Sequence, residues 1–179
     1  AGLKTKISKP TDPITLTSSM ALHTVEYNEN RYNILDTPGY FDFLGEVVSA
    51  MGAAGEAVIM VDGTTDLQVG TDKALEITDE FNIPKIIFVN KIDSDKADYD
   101  KILDQLRERY GKKIAPFHIP WGKGDEFKGF INVVGMYARD CTGKDFVNLP
   151  VPEDYTEIAK PVREMLLESV AESDDVLMD

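Results

Sequence analysis

Asp36-Thr37-Pro38-Gly39 is the stretch around which the rest of this chain is organised. It follows the apolar run 32–35 and precedes a helical pattern that spans about 41–54. A carboxylate at a strand end, followed by a glycine with a free amide, can hold a metal ion and a phosphate side by side. An ordinary strand-to-loop turn also favours Asp, Pro and Gly, so the motif alone leaves both interpretations open.

A second motif, Asn90-Lys91-Ile92-Asp93, follows the apolar run 85–89. An Asp carboxylate can accept hydrogen bonds from N1 and the exocyclic amino group of guanine, which adenine cannot supply, so one carboxylate discriminates between the bases. Asn90 can tie the loop to the rest of the site, and the stem of Lys91 can cover the base plane. Together the two motifs indicate a site for a guanine nucleotide.

The spacing of apolar residues predicts how the chain carries these motifs. Strand, helix, strand, helix and strand with short links imply an α/β fold, in which a parallel sheet has helices on both sides. A continuous apolar run such as 57–61 is typical of a strand covered on both faces. Ligands of such sheets bind at the carboxyl ends of the strands, where Asp36, Asp62 and the loop 90–93 fall. The predicted elements are a hairpin with strands around 20–27 and 32–35, helix 41–54, strand 57–61, helix 69–81 and strand 85–89.

The second half of the chain follows a different pattern. A helix over 97–110, stopped by Gly111, precedes short apolar runs and a glycine-rich stretch at 122–124, which favour an antiparallel addition. This change of pattern predicts a domain boundary at residue 112. We expect a partial nucleotide-binding domain at 1–112 and a second subdomain at 113–179. A final helix is predicted from about 154 onwards, with one buried stripe and acids opposite. Its expected buried positions are Ile158, Val162, Leu166, Val170 and Leu177.

The charge distribution excludes one class of function. A general nucleic-acid-binding surface needs clustered Lys and Arg, whereas this chain has a formal net charge of −13, so we expect no direct nucleic-acid binding. The acids are concentrated at 153–179, a stretch that contains nine acidic residues and only two basic ones, Lys160 and Arg163. This stretch is either a solvated acidic surface or a face for a basic partner.

Other bulk properties narrow the setting. Cys141 is the only cysteine, so no intrachain disulfide can form and the reducing cytoplasm is the expected location. No apolar stretch approaches the roughly 18 residues of a membrane span, and the first residues are not a signal peptide. The chain begins without Met, and we expect it to be a piece of a larger protein.

From about residue 14 onwards the chain resembles the GTP-binding domain of translational GTPases, most closely that of elongation factor G and its paralogues. The resemblance implies a P-loop-NTPase-like parallel sheet with flanking helices, incomplete here, plus the small α+β subdomain that elongation factor G inserts. Elongation factor Tu-like and Ras-like proteins have no such insert. The matching stretches are Ile14-Thr15-Leu16-Thr17-Ser18, 33–39 with Asp42-Phe43 and Glu46-Val47, Phe88-Val89-Asn90-Lys91-Ile92-Asp93, and 119–155 with Phe127-Lys128-Gly129-Phe130-Ile131.

The resemblance also implies roles for single residues. Thr15, in a mobile switch segment 1–19, and Asp36 match residues that hold Mg²⁺, and the amide of Gly39 would meet the γ-phosphate of GTP. Ile14 matches one side of an apolar gate near the attacking water. Asn90, Lys91 and Asp93 match the residues that bind the guanine of GTP or GDP. An ordinary strand start is the alternative for residues 14 and 15, because Asp-Pro precedes them where the family usually has Arg-Gly.

One departure from the family concerns the phosphate loop. No Gly-x-x-x-x-Gly-Lys-Ser/Thr occurs in the 179 residues, and neither does the later Ser-Ala-Leu-type loop that also contacts guanine. The amides and lysine of the phosphate loop are the main groups that match the charge of the diphosphate. We therefore expect the isolated chain to bind GTP poorly or not at all.

Tyr40 is the other departure, because elongation factors usually place a histidine directly after Asp-x-x-Gly, where it orients water for attack on the γ-phosphate. A phenol can donate or accept a hydrogen bond, but it remains neutral near pH 7 and has a different reach. Either Tyr40 is a catalytic residue that positions water with its hydroxyl, or hydrolysis is slow and the protein acts mainly as a GTP-dependent binder.

Three functions follow from these observations. The first is a GTP hydrolase that drives ribosomal translocation or a related ribosomal task. The second is a non-catalytic module that docks on the ribosome, with the acidic helix 154–179 against a basic stalk protein, as the resemblance implies for the insert. The third is a scaffold that has discarded its phosphate loop, which is disfavoured because an intact Asn-Lys-x-Asp has no use without nucleotide.

Overall fold

We describe the fold from a computed structural model, which describes residues 18–172. These residues fall into two compact units, 18–59 with 68–88 and 60–67 with 89–172. Ile14, Thr15 and Leu177 lie outside the described residues, as does most of the predicted switch segment. No helix within 18–172 is long and apolar enough to span a membrane.

The predicted hairpin is present in the first unit. Strands β1 (Ala21–Tyr27) and β2 (Asn30–Asp36) pair antiparallel, with Tyr27 opposite Asn30. The turn contains only Asn28 and Glu29, whose φ angles are 48° and 64°. Two-residue turns with both φ angles positive match the right-handed twist of paired strands. Asp36 is the last residue of β2, which is where the sequence pattern placed it.

The first unit also contains two helices. A 3₁₀ turn, Phe41–Phe43, leads into helix α1 (Leu44–Met51), which is shorter than the predicted helix 41–54 because Gly52 and Gly55 weaken its end. Helix α2 (Val69–Glu80) matches its prediction. It ends where Asn82 has a φ of 52° and the amide of Ile83 donates to the carbonyl of Thr78, 2.9 Å away.

Strands β3 (Ala57–Asp62) and β4 (Lys85–Asn90) form a two-stranded sheet joined through α2. Near their starts, the Ala57 amide donates to the Pro84 carbonyl at 2.9 Å, and just past their ends the Gly63 amide donates to the Asn90 carbonyl at 2.9 Å. Both bonds join equivalent ends, so the two strands run parallel. The strand–helix–strand order confirms the predicted α/β class.

Two details of the predicted sheet are wrong. Val58 and Met60 on β3 are 63% and 58% exposed, and Ile86 and Phe88 on β4 are exposed as well, so residues 18–172 leave one face of β3 uncovered. Ile59, between the exposed residues of β3, is buried, so the described part of the chain packs on one face of the sheet only. Within 18–172, β2 pairs with β1 and not with β3 or β4, since consecutive strands need not be neighbours in a sheet.

Helix α3 (Tyr99–Tyr110) is the first helix in the long segment of the second unit. The Asp98 carboxylate caps it by accepting a hydrogen bond from the Lys101 amide at 3.1 Å. Ile102 and Leu106 are its buried residues. Gly111, with a φ of 70°, ends the helix as predicted and begins a 3₁₀ turn, Gly111–Lys113.

The predicted antiparallel addition is a four-stranded sheet covered by a long helix. Its core contains Ile119, Ile131, Val133 and Ala138 from the sheet region, together with side chains of α4. The strand order is β5-β6-β7-β8, with all neighbours antiparallel. The elements are β5 (His118–Trp121), β6 (Gly129–Asn132), β7 (Tyr137–Asp140), β8 (Val147–Pro150) and helix α4 (Glu153–Ala171).

The buried stripe of α4 differs from the predicted one. Ala159 and Leu166 are the buried residues of this helix, and Val162 packs against the same core. Ile158 and Val170 are 53% and 41% exposed, so their assignment to the stripe was wrong. The small side chain of Ala159 faces the sheet in place of Ile158, a choice that apolar spacing alone does not reveal.

The adjacent residues Leu166 and Leu167 provide a matched test of this core. Leu166 is 7% exposed and Leu167 is 55% exposed. We expect Leu166→Ala to lower the free energy of unfolding by about 2–5 kcal/mol through lost burial and a cavity, and Leu167→Ala to lower it by less than about 1 kcal/mol. Urea denaturation measures both, and equal losses would contradict this packing of α4.

Candidate functional site

The Asp-x-x-Gly loop lies in the first unit, directly after β2. Asp36, Gly39 and Tyr40 are all exposed, whereas Pro38 is buried. The amide of Phe43 donates to the carbonyl of Tyr40 at 3.0 Å, which leads the chain into the 3₁₀ turn. The Tyr40 side chain, whose residue is 61% exposed, is available to a ligand.

The loop 90–93 lies in the second unit, at the carboxyl end of β4. Lys91 has a φ of 58°, a left-handed conformation that turns the chain sharply after Asn90. The turn continues through a hydrogen bond of 3.1 Å from the Ser94 amide to the Lys91 carbonyl. Asn90, Lys91 and Asp93 are exposed, so the groups predicted to read guanine are accessible.

Asp62, at the end of β3, contacts this loop directly. Its Oδ2 accepts a hydrogen bond from Lys91 Nζ at 2.6 Å. Its Oδ1 accepts from the amide and the hydroxyl of Thr64, at 2.9 and 2.6 Å. These hydrogen bonds, that from Lys91 first and those from Thr64 next, lower the pKa of Asp62 from 3.8 to about 2. The carboxylate is therefore ionised at neutral pH.

Gly63 fixes the spacing between the ends of β3 and β4. Its amide donates to the Asn90 carbonyl, and its own carbonyl accepts from the Asp98 amide at 3.0 Å. A Cβ at this buried position would lie only 2.8 Å from the Asn90 carbonyl oxygen, so a side chain would force the strand ends apart. The main chain of Asn90 is thus joined to the end of β3, while the role predicted for its side chain stays a prediction.

The glycine-rich stretch 122–124 borders the same loop. Gly124 has a φ of 54°, and a Cβ on it would overlap Asp95 Oδ1, two residues beyond Asp93. The amide of Gly122 donates to the Tyr155 hydroxyl of α4 at 3.0 Å. The antiparallel addition therefore supports the flank of the 90–93 loop.

The sequence pattern placed Asp62 at a strand end but gave it no role. Its contact with Lys91 joins residues 29 positions apart, so only the parallel pairing of β3 with β4 reveals it. The signal in the sequence is limited to position, because both residues fall at carboxyl ends of predicted neighbouring strands. The roles predicted for Ile14, Thr15, Asp36, Gly39 and Tyr40 stay predictions.

The donor chemistry around Asp36 suits Mg²⁺. Among residues 18–172 no group of three or more His, Cys, Asp or Glu side chains could hold a metal ion. Mg²⁺ does not require one, since it keeps several waters and binds through one or two protein oxygens plus substrate phosphates. The exposed carboxylate of Asp36 at the end of β2 fits that mode.

A strand–helix–strand unit whose second strand is followed by exposed polar side chains at its carboxyl end is typical of nucleotide-binding α/β proteins. The family described as the elongation factor Tu GTP binding domain matches residues 13–175. The chain belongs to this family of GTP-binding domains of translation factors, which confirms the resemblance drawn from its motifs.

The proteins similar to the chain include an elongation factor G and a protein of known structure. Elongation factor G of Rhodopseudomonas palustris (strain BisB18) is 34% identical over 169 residues, which cover 92% of this chain. A crystal structure from Thermus thermophilus superposes with a TM-score of 0.82 and 30% identity, over 90% of this chain. The chain spans 24% of the length of each of these proteins.

Proposed function

We propose that this chain is part of a translation factor of the elongation factor G type, which binds and hydrolyses GTP on the ribosome in the cytoplasm. The observation that carries the proposal is the exposed loop 90–93 at the carboxyl end of β4, supported by Asp62 and Gly63. In this proposal, 1–112 is the partial GTP-binding domain and 113–179 the inserted subdomain.

The base end of the nucleotide is bound by the loop 90–93. The Asp93 carboxylate accepts hydrogen bonds from N1 and the exocyclic amino group of guanine, which selects guanine over adenine. The Lys91 stem covers the base plane, and Asn90 ties the loop to β3 through its carbonyl. These roles require the exposure that Asp93 and Lys91 have.

The phosphate end is bound at the carboxyl end of β2. Asp36 and Thr15 would hold Mg²⁺, and the Gly39 amide would donate to the γ-phosphate. When bound, Mg²⁺ neutralises charge that develops on the phosphate oxygens. Ile14 would form one side of an apolar gate near the attacking water.

Hydrolysis is the attack of one water on the γ-phosphorus. A new bond forms between the water oxygen and phosphorus, the bond to the oxygen that bridges the β- and γ-phosphates breaks, and the products are GDP and inorganic phosphate. Tyr40 directly follows Gly39, so its hydroxyl can accept a hydrogen bond from the water and orient it. The phenol positions the water without carrying a positive charge.

Turnover of GTP by the full-length protein that carries this chain tests both the activity and the role of Tyr40. We expect Tyr40→Phe, which removes only the hydroxyl, to lower kcat by about tenfold or more, and Tyr40→His to retain or raise it. Absence of GTP turnover in the unsubstituted protein would overturn the hydrolase proposal. Equal kcat values for all three proteins would dismiss Tyr40 as a catalytic residue.

The 179-residue chain by itself should bind GTP poorly, because its sequence contains no phosphate loop to match the charge of the diphosphate. Isothermal titration calorimetry of this chain with GTP and Mg²⁺ is expected to detect no micromolar binding. A dissociation constant in the micromolar range would contradict this proposal and would indicate that the two remaining loops suffice.

A second candidate function is docking on the ribosome without catalysis, through the acidic face of α4. Glu164 and Glu168 are exposed there and lie one helical turn apart, beside the exposed Leu167. Two other acids, Glu157 on α4 and Glu172 directly after it, already pair with Lys160 and Lys112, respectively. The remaining acidic and apolar surface suits a basic partner such as a ribosomal stalk protein.

A charge reversal tests this docking face. In a pull-down with the stalk protein, Glu164→Lys combined with Glu168→Lys should abolish retention at low salt, because both carboxylates become positive. Glu108→Lys, a reversal of an exposed acid on α3, is the matched control and should retain binding. Equal retention of both variants would rule out α4 as the docking face.

A further inference from the structure

Two ion pairs connect the end of β3 and the loop that follows it with the rest of the second unit, and they have different neighbours. Asp62 pairs with Lys91 in the loop 90–93, with 2.6 Å between Oδ2 and Nζ. Asp66 pairs with Lys101 on α3, with 2.6 Å between Oδ1 and Nζ. Only the first pair includes a residue of the predicted guanine site.

The Asp62 carboxylate is held in one orientation by its own turn. Both hydrogen bonds from Thr64 reach Oδ1, which leaves Oδ2 for the Lys91 ammonium. The hydrogen bond between Gly63 and Asn90 holds the two main chains together at the same point. Lys91 therefore meets a fixed acceptor rather than a freely rotating side chain.

Lys91 has little else to restrict it. Its side chain is 59% exposed, and a lysine has four rotatable bonds whose freedom is lost when it packs on a ligand. An anchor at the ammonium restricts the stem before a ligand arrives, which lowers the cost of ordering it on binding.

We propose that Asp62 is a positioning residue for guanine nucleotide binding, which holds the Lys91 ammonium so that the lysine stem is preorganised to cover the base. The proposal rests on the proposed function of the loop 90–93. Asp62 acts through Lys91 and does not itself contact the nucleotide. Because its action is at the base end, it serves GDP and GTP equally.

The pKa of Asp62 reports whether the ion pair with Lys91 forms when no nucleotide is bound. In the 179-residue chain, a carboxyl ¹³C NMR titration should give Asp62 a pKa of about 2. Lys91→Ala should raise this pKa toward 3.8, because it removes the hydrogen bond that contributes most to the lowered value. The pair is thus fully formed above about pH 4 and is lost as the pH falls toward 2. An unchanged pKa in Lys91→Ala would overturn the anchor.

A double-mutant cycle tests whether the anchor serves the nucleotide. In the full-length protein, Asp62→Asn should weaken binding of fluorescent GDP and GTP by the same factor, about two- to fivefold, as expected for a partly exposed ion pair. In a Lys91→Ala background, Asp62→Asn should cause no further loss. Asp66→Asn, which breaks the companion pair, is the matched control and should leave both affinities unchanged.

The outcomes separate this inference from the function on which it rests. If the unsubstituted full-length protein binds no guanine nucleotide, the proposed function fails, and the inference fails with it. If that protein binds and Asp62→Asn has no effect, has the same effect in the Lys91→Ala background, or tightens binding, only the inference fails. Tighter binding would mean that Asp62 withholds Lys91 from the base.

Discussion

The parallel pairing of β3 with β4 is the constraint on which the described site depends. Its last bond, between the Gly63 amide and the Asn90 carbonyl, sets the ends of the two strands side by side. This close pairing of the strand ends brings Asp62 within hydrogen-bonding distance of Lys91. It also requires a glycine at position 63. The loop 90–93, which we predict to bind guanine, needs such support because its own residues are exposed and its lysine is flexible.

The antiparallel subdomain extends this support. It has its own core of sheet and helix residues. Gly124 approaches Asp95 so closely that the flank of the 90–93 loop is defined by the subdomain as well as by β4. The long helix α4 buries Ala159 and Leu166 while its acids face outward, so one element serves both packing and charge.

Much of this organisation could be predicted from the residues alone. Apolar periodicity and glycine stops predict the hairpin, strands β3 and β4, helices α2 and α3, and the antiparallel addition. The failures concern strand pairing, because β2 pairs with β1 and not with β3 or β4 within 18–172, and burial. Val58 and Met60 belong to a continuous apolar run, yet they are exposed, and Ile158 gives way to Ala159 on the buried face of α4. Local patterns cannot decide this, because burial depends on what packs against each face.

The sequence by itself determined the family, because Asp36-x-x-Gly39 and Asn90-Lys91-x-Asp93 carry their characteristic side-chain groups at fixed positions after strands. Only the tertiary structure decided how those groups are held. The partner of Lys91 lies 29 residues earlier, and no short-range pattern encodes a contact made by pairing two distant strand ends. The physical reason is that backbone hydrogen bonds fix strand register, and register then selects which side chains meet.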